Sequence, residues 1–350
     1  MEFAGGLQGL EGRELRVVDL LTEHGKIMQK IPWRMGIPMI SDVDYVERRE
    51  DMRALEMLKE DHVILIMGGF RSGKTSLAAR VAEKLKKELI ESGKNVVNIS
   101  QTPWKKADLE QHLERKGYSE EEILILQPYE VTWDSGVETE AVGRLKELKD
   151  SGNYLVLECN GDVRESDNDE EKEKMKQLIR GLAGDSIVTI GLATEKQVLE
   201  AIRSGVDPVF SPQVEEWLVK EAGGNLLWAK ILAHFIYRSI KKTYLPANSE
   251  KQREKGLYKW FSGLRKTGDK QITAKWDDII EGAKKDLFLN AGSLANNVVG
   301  IMRRGIDPLQ WTCPEGVDIE YYRQTIPNGS KLFNEWISKS MPGLIQAAQE

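Results

Sequence analysis

Eight residues, Gly68-Gly69-Phe70-Arg71-Ser72-Gly73-Lys74-Thr75, constrain this chain more than any other part of it. Their spacing is G-x-x-x-x-G-K-[ST]. The apolar run His62-Val63-Ile64-Leu65-Ile66-Met67 precedes them, and Ser76 to Leu85 follows with Leu77, Val81 and Leu85 four apart. A strand feeding a glycine turn that opens a helix aims successive backbone N–H groups, and the positive end of the helix dipole, at one point. That arrangement suits a phosphate. Gly68 and Gly73 are expected to permit backbone angles and a close approach that a Cβ would obstruct. Gly69, Phe70, Arg71, Ser72 and Ser76 complete the cradle. Lys74 would reach the β- and γ-phosphates, and the Thr75 hydroxyl would ligate Mg2+.

The pattern around this loop alternates. After a first amphipathic stretch, Val43 to Leu58, and the loop helix, strands are expected at 95–100, 123–126, 154–159 and 186–192. Helices are expected at 106–115, 137–150 and 170–182. Buried strands alternating with helices predict an α/β fold, a parallel sheet with helices on both faces. After Pro212 the strand signal stops. Val214 to Ile240 reads as a helical pair broken at Gly223-Gly224, a lid on the core, and the remainder is helical by pattern. Glu11 to Ile31 reads as an amphipathic helix on Leu15, Val18, Leu21 and Ile27. Four divisions follow: an extension, 1–42; the core, 43–212; the lid, 213–245; and a helical C-terminal domain, 246–350.

Of 350 residues, 40% are hydrophobic and 30% charged, as in a soluble globular protein, and the net charge of −6 gives no global footprint for nucleic acid or an anionic membrane. A local basic stretch runs from Arg238 to Lys255; a solvated helix face explains it as simply as a nucleic-acid contact. Cys159 and Cys313 lack C-x-x-C spacing, and His24, His62, His112 and His234 form no ligand pair. With no signal-peptide layout at the amino terminus and no apolar run near the roughly 18 residues that span a bilayer, a cytoplasmic setting is expected.

Turnover of a nucleotide also needs a carboxylate for the metal and another for the attacking water. Tyr154-Leu155-Val156-Leu157 followed by Glu158 fits a strand ending in the metal-binding acid. Asp then Glu is usual at such an end; here Glu158 and Cys159 stand there. Glutamate is longer by about 1.5 Å, and cysteine cannot orient water as a carboxylate does. Asp162, Glu130 and Asp134 are the other acids available, and spacing selects none of them. Thr194 follows the strand ending at Leu192, so it is either a γ-phosphate sensor or the N-cap of the helix starting at Glu195. Arg203 and Arg180 are candidates to touch a neighbouring subunit's nucleotide, or are surface arginines.

The stretch Tyr45-Val46-Glu47-Arg48-Arg49-Glu50-Asp51-Met52, followed by Leu55, Leu58, the apolar strand and the loop, resembles the opening of the archaeal ATPase family. That family is a STAND branch of the P-loop NTPases close to AAA+ proteins, and the likeness spans about residues 43–240. It implies that the Tyr45-Val46 backbone flanks adenine. It also implies that Ala222-Gly223-Gly224-Asn225 closes over the base, with Leu226 where Pro is usual. The function it implies is an ATP-binding, Mg2+-dependent switch and slow ATPase, partnered by copies of itself or by a client protein. A DNA-acting ATPase and a catalytically degenerate nucleotide-binding scaffold are the alternatives.

Overall fold

A five-stranded parallel sheet with helices on both faces forms one part of the fold, and a helical body with its own apolar core forms the other. The computed structural model describes residues 10–16, 20–22, 45–69, 72–117, 119, 121–131, 136–164, 169–203, 209–244, 273–315, 317 and 319–349. Strands β1 (Glu14–Arg16) and β2 (Leu21–Thr22) precede helix α1 (Arg49–Asp61). Then come β3 (Val63–Gly68), α2 (Lys74–Glu91), β4 (Val96–Thr102), α3 (Lys106–Lys116), β5 (Ile123–Pro128) and α4 (Thr139–Asp150). β6 (Tyr154–Asn160), α5 (Glu170–Ala183), β7 (Ile187–Thr189) and α6 (Glu195–Arg203) complete the core.

The sheet order is β4-β5-β6-β3-β7, with every pair parallel. Because side chains alternate across a strand, the unbroken apolar runs feed two cores at once. Val63, Leu65 and Met67 of β3 join Leu155, Leu157 and Cys159 of β6 beneath α3, α4 and α5. Ile64, Ile66, Tyr154 and Val156 face the other way, against α1 and α2. The loop strand β3 is interior, between β6 and β7, so its C-terminal end lies where strand ends converge, the usual ligand position in open parallel sheets.

Beyond β8 (Val209–Phe210) the chain is helical: α7 (Pro212–Ala222), α8 (Leu226–Tyr244), a short strand β9 (Thr273–Lys275), α9 (Trp276–Ala291), a 3-10 turn (Gly292–Leu294), α10 (Ala295–Arg303), α11 (Ile319–Arg323) and α12 (Lys331–Gln349). Trp217, Trp228 and Phe235 of the lid pair share a single apolar cluster with Trp276, Leu287, Ile301 and Phe333. The described parts of 213–245 and 246–350 therefore pack as one helical body. Buried polar groups stitch it together: Trp228 Nε1 donates to Ser330 Oγ (3.1 Å), which donates to Glu221 Oε2 (2.9 Å).

The expected helix over 11–31 is corrected at 14–16 and 21–22, which are strands; Leu20 has helical backbone, and 17–19 and 23–31 lie outside the described residues. Residues 14–16 pair antiparallel with 273–275, and 21–22 with 209–210. Leu15 and Leu20 are buried in the helical body's core, so tertiary burial overrides a helix-like spacing too sparse to bury a continuous face.

Candidate functional site

The loop departs from β3 at Gly68 and enters α2 at Lys74. Gly73 is the N-cap at φ +101°, left-handed backbone that favours glycine. Gly68 sits against Ser72 instead: a Cβ there would lie 2.6 Å from Ser72 Oγ, so that hydroxyl would have to turn away. Phe70 and Arg71 lie outside the described residues. Ser76 sits in the first turn of α2.

Lys74 is buried and turned back onto the loop. Its Nζ donates to Gly68 O (3.0 Å) and Gly69 O (2.7 Å) and pairs with Glu130 Oε1 at 2.8 Å. Thr75 Oγ1 donates to Glu158 Oε2 at 2.7 Å. The sheet explains these meetings. Glu158 lies on the α2 face of β6, with Ile66 of β3 directly beside it in register. Glu130 arrives because β5 is prolonged past Pro128: Val131 N donates to Glu158 O and Asn160 N to Val131 O, a bridge alongside Cys159. Two carboxylates, an ammonium and a hydroxyl thus converge at the mouth of β3, β5 and β6.

Burial pushes the Glu158 carboxyl up to about 7; the nearby Glu130 charge adds to this, while the Thr75 hydrogen bond and Lys74 oppose it. Cys159, the next residue, faces the opposite side of the sheet, into the core beneath α5, and burial pushes its thiol up to about 12. It is a packing residue, and its place in the sequence after Glu158 says nothing about the acid that orients water. Of the acids left open, Asp162 is engaged by Arg164, Nε to Oδ1 at 2.8 Å and Nη2 to Oδ2 at 2.6 Å. Asp134 lies outside the described residues, and Glu130 alone of the three is placed at Lys74.

The Tyr45-to-Asp51 segment wraps the other side of the loop. Tyr45 Oη donates to Asp51 Oδ1 (2.9 Å), and its ring lies 5.7 Å from the Arg80 guanidinium. Burial first, then the Asp51 charge, raises the Tyr45 phenol; burial likewise raises Asp51. Val46 is buried. Arg48 donates from Nη2 to Ser72 O (3.0 Å) and from Nη1 to Gly191 O (3.2 Å), tying the loop to the end of β7; burial lowers its pKa. The Arg-Glu box was the only signal of this role in the sequence.

Two expected site residues stand elsewhere. Thr194 is the N-cap of α6: Gln197 N donates to Thr194 Oγ1 (3.3 Å), and Thr194 N donates to Gln197 Oε1 (2.9 Å). The reciprocal bonds engage the hydroxyl locally, as the cap reading expects. Arg203 forms a bidentate pair with Glu215 of α7 (2.7 and 2.6 Å), an intrachain lid anchor, which raises its pKa. The pair uses Nε and Nη2 of the guanidinium. Arg180 is exposed in the last turn of α5.

The lid turn is a left-handed pair, Gly223 (φ +51°) and Gly224 (φ +77°). Ala193 N donates to Gly224 O (2.8 Å), docking the turn on the residues that follow β7. Sequence reasoning missed Asn297, Gln324 and Thr325, more than two hundred residues from the loop. A Cβ on Gly69 would lie 2.7 Å from Thr325 Cβ and 3.3 Å from Asn297 Oδ1. No local signal marks them. Most of the basic stretch 238–255 lies outside the described residues.

Among the described residues no group of three or more His, Cys, Asp or Glu side chains could hold a metal. Mg2+ needs fewer: one or two carboxylates beside substrate phosphates and water suffice. Buried Glu158, bonded to the Thr75 hydroxyl, offers the hard oxygen donors that ion takes. No helix of the described residues is long and apolar enough to cross a membrane.

Loop, interior strand and convergent acids define a P-loop NTPase fold, a parallel sheet flanked by helices and followed by a helical region. No family profile matches the chain, and no curated protein does. Among solved structures the chain is similar to the following three at low sequence identity. Domain III of the replication initiation protein DnaA from Thermotoga maritima has 17% identity and a TM-score of 0.41, covering 71% of this chain and 97% of that one. The ORC2 protein of Aeropyrum pernix has 12% identity and a TM-score of 0.44, covering 94% and 98%. The Walker-type ATPase paby2304 of Pyrococcus abyssi has 14% identity and a TM-score of 0.40, covering 90% and 92%.

Proposed function

We propose that this chain binds ATP with Mg2+ and hydrolyses it slowly, acting as a nucleotide-dependent switch between its sheet core and its helical body. The observation that carries this reading is the convergence of Lys74, Thr75, Glu158 and Glu130 at the C-terminal end of β3, where the amide-rich loop opens α2.

The roles divide by chemistry. The loop amides and the α2 N-terminus receive the phosphates, and Lys74, exchanging its loop carbonyls for phosphate oxygens, neutralises the β–γ region. Thr75 and Glu158 would hold Mg2+, which would supply Lewis-acid stabilisation of phosphate charge there. Once Lys74 turns to phosphate, Glu130 loses its ion-pair partner and becomes the carboxylate available to orient water and take its proton. Tyr45 and Val46 flank the base, and the Gly223-Gly224 turn closes from the lid side.

Turnover is expected to be slow because the ammonium and both carboxylates are committed to one another and must rearrange. Isothermal titration with Mg·ATP on the intact chain and on Lys74→Ala tests the binding reading. A loss of at least about 100-fold in affinity is expected, the scale of a lost charge-assisted phosphate contact in a buried site. Equal affinity in the two proteins ends the reading.

A further inference from the structure

Three glycines bordering the nucleotide site each leave room for one short stretch of the helical body. At Gly69, in the loop, an added Cβ would meet Thr325 Cβ at 2.7 Å and Thr325 Cγ2 at 2.9 Å. At Gly191, just past β7, it would meet Gln324 Oε1 at 2.9 Å. At Gly223, in the lid turn, it would meet the Asn328 carbonyl oxygen at 2.2 Å. The segment from Gln324 to Asn328, between α11 and α12, therefore touches the phosphate loop, the end of the neighbouring strand and the lid together.

This stretch is itself fixed. Asn297 Nδ2, on α10, donates to Thr325 O at 2.9 Å, and Thr325 Oγ1 donates to Tyr322 O at 2.7 Å. Asn328 N donates to Gly223 O at 3.2 Å. Thr325 and Asn297 are both buried. The Thr325 methyl presses on the residue whose carbonyl holds Lys74 at 2.7 Å. Two of the ammonium's three hydrogens go to Gly68 O and Gly69 O, and Glu130 Oε1 stands 2.8 Å away as an ion-pair partner without hydrogen-bond geometry. A phosphate that engages Lys74 through more than one hydrogen must displace one of those loop carbonyls. Moving Gly69 O means moving Gly69 against Thr325.

We propose that residues 324–328 are an intramolecular latch: packed on Gly69, they keep the Lys74 ammonium bound to the loop carbonyls, so that nucleotide enters only as the helical body yields. The proposal rests on the reading that this loop takes ATP, and it adds what regulates that loop. Whatever shifts α10–α12 relative to the sheet changes the affinity for nucleotide, and nucleotide shifts those helices reciprocally.

The test uses the intact chain and three substitutions, Thr325→Ser, Gln324→Ala and Asn297→Ala. Thr325→Ser is the mildest, since it removes only the methyl on Gly69 and keeps the hydroxyl bonded to Tyr322 O. Two quantities are read: Mg·ATP affinity, and amide hydrogen exchange of residues 68–76 without added nucleotide. The expected result is affinity tighter by about 5-fold or more, the lower end of ordinary coupling between sites, with faster exchange in the loop. Unchanged or weaker affinity with unchanged loop exchange, in variants that keep the wild-type circular dichroism, overturns the latch. Lys74→Ala is measured beside them. Binding that depends on Lys74 but ignores all three substitutions discards the latch and keeps the site; no binding in any of the proteins discards both.

Discussion

Glu158→Gln is expected to make the protein more stable at alkaline pH while removing its grip on Mg2+. In the folded chain Glu158 is 5% exposed, and burial moves its carboxyl from the ordinary value of 4.5 up to about 7. An acid whose folded value is raised binds more protons folded than unfolded between those two pH values. Its contribution is therefore fully present below 4.5, and stability is lost as pH rises through about 7. At about 1.4 kcal/mol for each pH unit of that gap, the charged side chain costs about 3 kcal/mol above pH 7. The amide carries no such charge and can still accept from Thr75. At roughly 2–4 °C per kcal/mol, Glu158→Gln is expected to melt roughly 6–12 °C higher than wild type at pH 8, with a much smaller advantage at pH 5. Differential scanning calorimetry at both pH values, without nucleotide, measures this. An equal difference at pH 5 and pH 8, or a variant less stable at pH 8, refutes the reasoning. With Mg·ATP added the order is expected to reverse, because wild type gains binding free energy that the variant lacks.

Arg203→Ala leaves Glu215 buried without its fork. A loss of about 3 kcal/mol in chemical denaturation is expected, with turnover and its dependence on protein concentration unchanged; turnover that falls tenfold and loses its concentration dependence would restore the intersubunit role. Thr194→Ala removes a helix cap and is expected to cost about 1 kcal/mol without altering Mg·ATP affinity. A tenfold weaker affinity there would return the hydroxyl to the γ-phosphate.

The sheet was legible because β3, β5 and β6 are built on runs of apolar residues, with β4 a mixed edge strand, and the loop residues at 68–75 carry their own chemistry. Glu158 was legible as the acid that ends such a run, and the fold sets it on the Thr75 hydroxyl. What spacing could not settle was the second acid. Glu130 lies past a strand that the apolar pattern ends at Leu126, and only the prolonged pairing of β5 with β6 brings it to Lys74. Cys159, where a second acid is usual, packs into the core beneath α5, because neighbours on a strand face opposite sides. Thr194 and Arg203 each had a structural role and a functional one consistent with their positions, and only partners distant in sequence, or a reciprocal cap, distinguish them. The opening segment was read as a helix because three leucines or valines at loose spacing suit one; its strands are set by partners at 209–210 and 273–275, which no local pattern names.

Those long-range ribbons bear on how the protein is made. Residues 45–190 contain all five strands of the main sheet, and that sheet is complete once β7 has emerged from the ribosome. The helical body is different, because Glu14–Arg16 pairs with Thr273–Lys275, about 257 positions later. At 5–20 residues per second, the early strand waits roughly 10–50 s for its partner, whereas Leu20 meets Ser211 well before that. Nascent chains therefore pass through a stage in which a finished sheet core carries an early strand still without its partner.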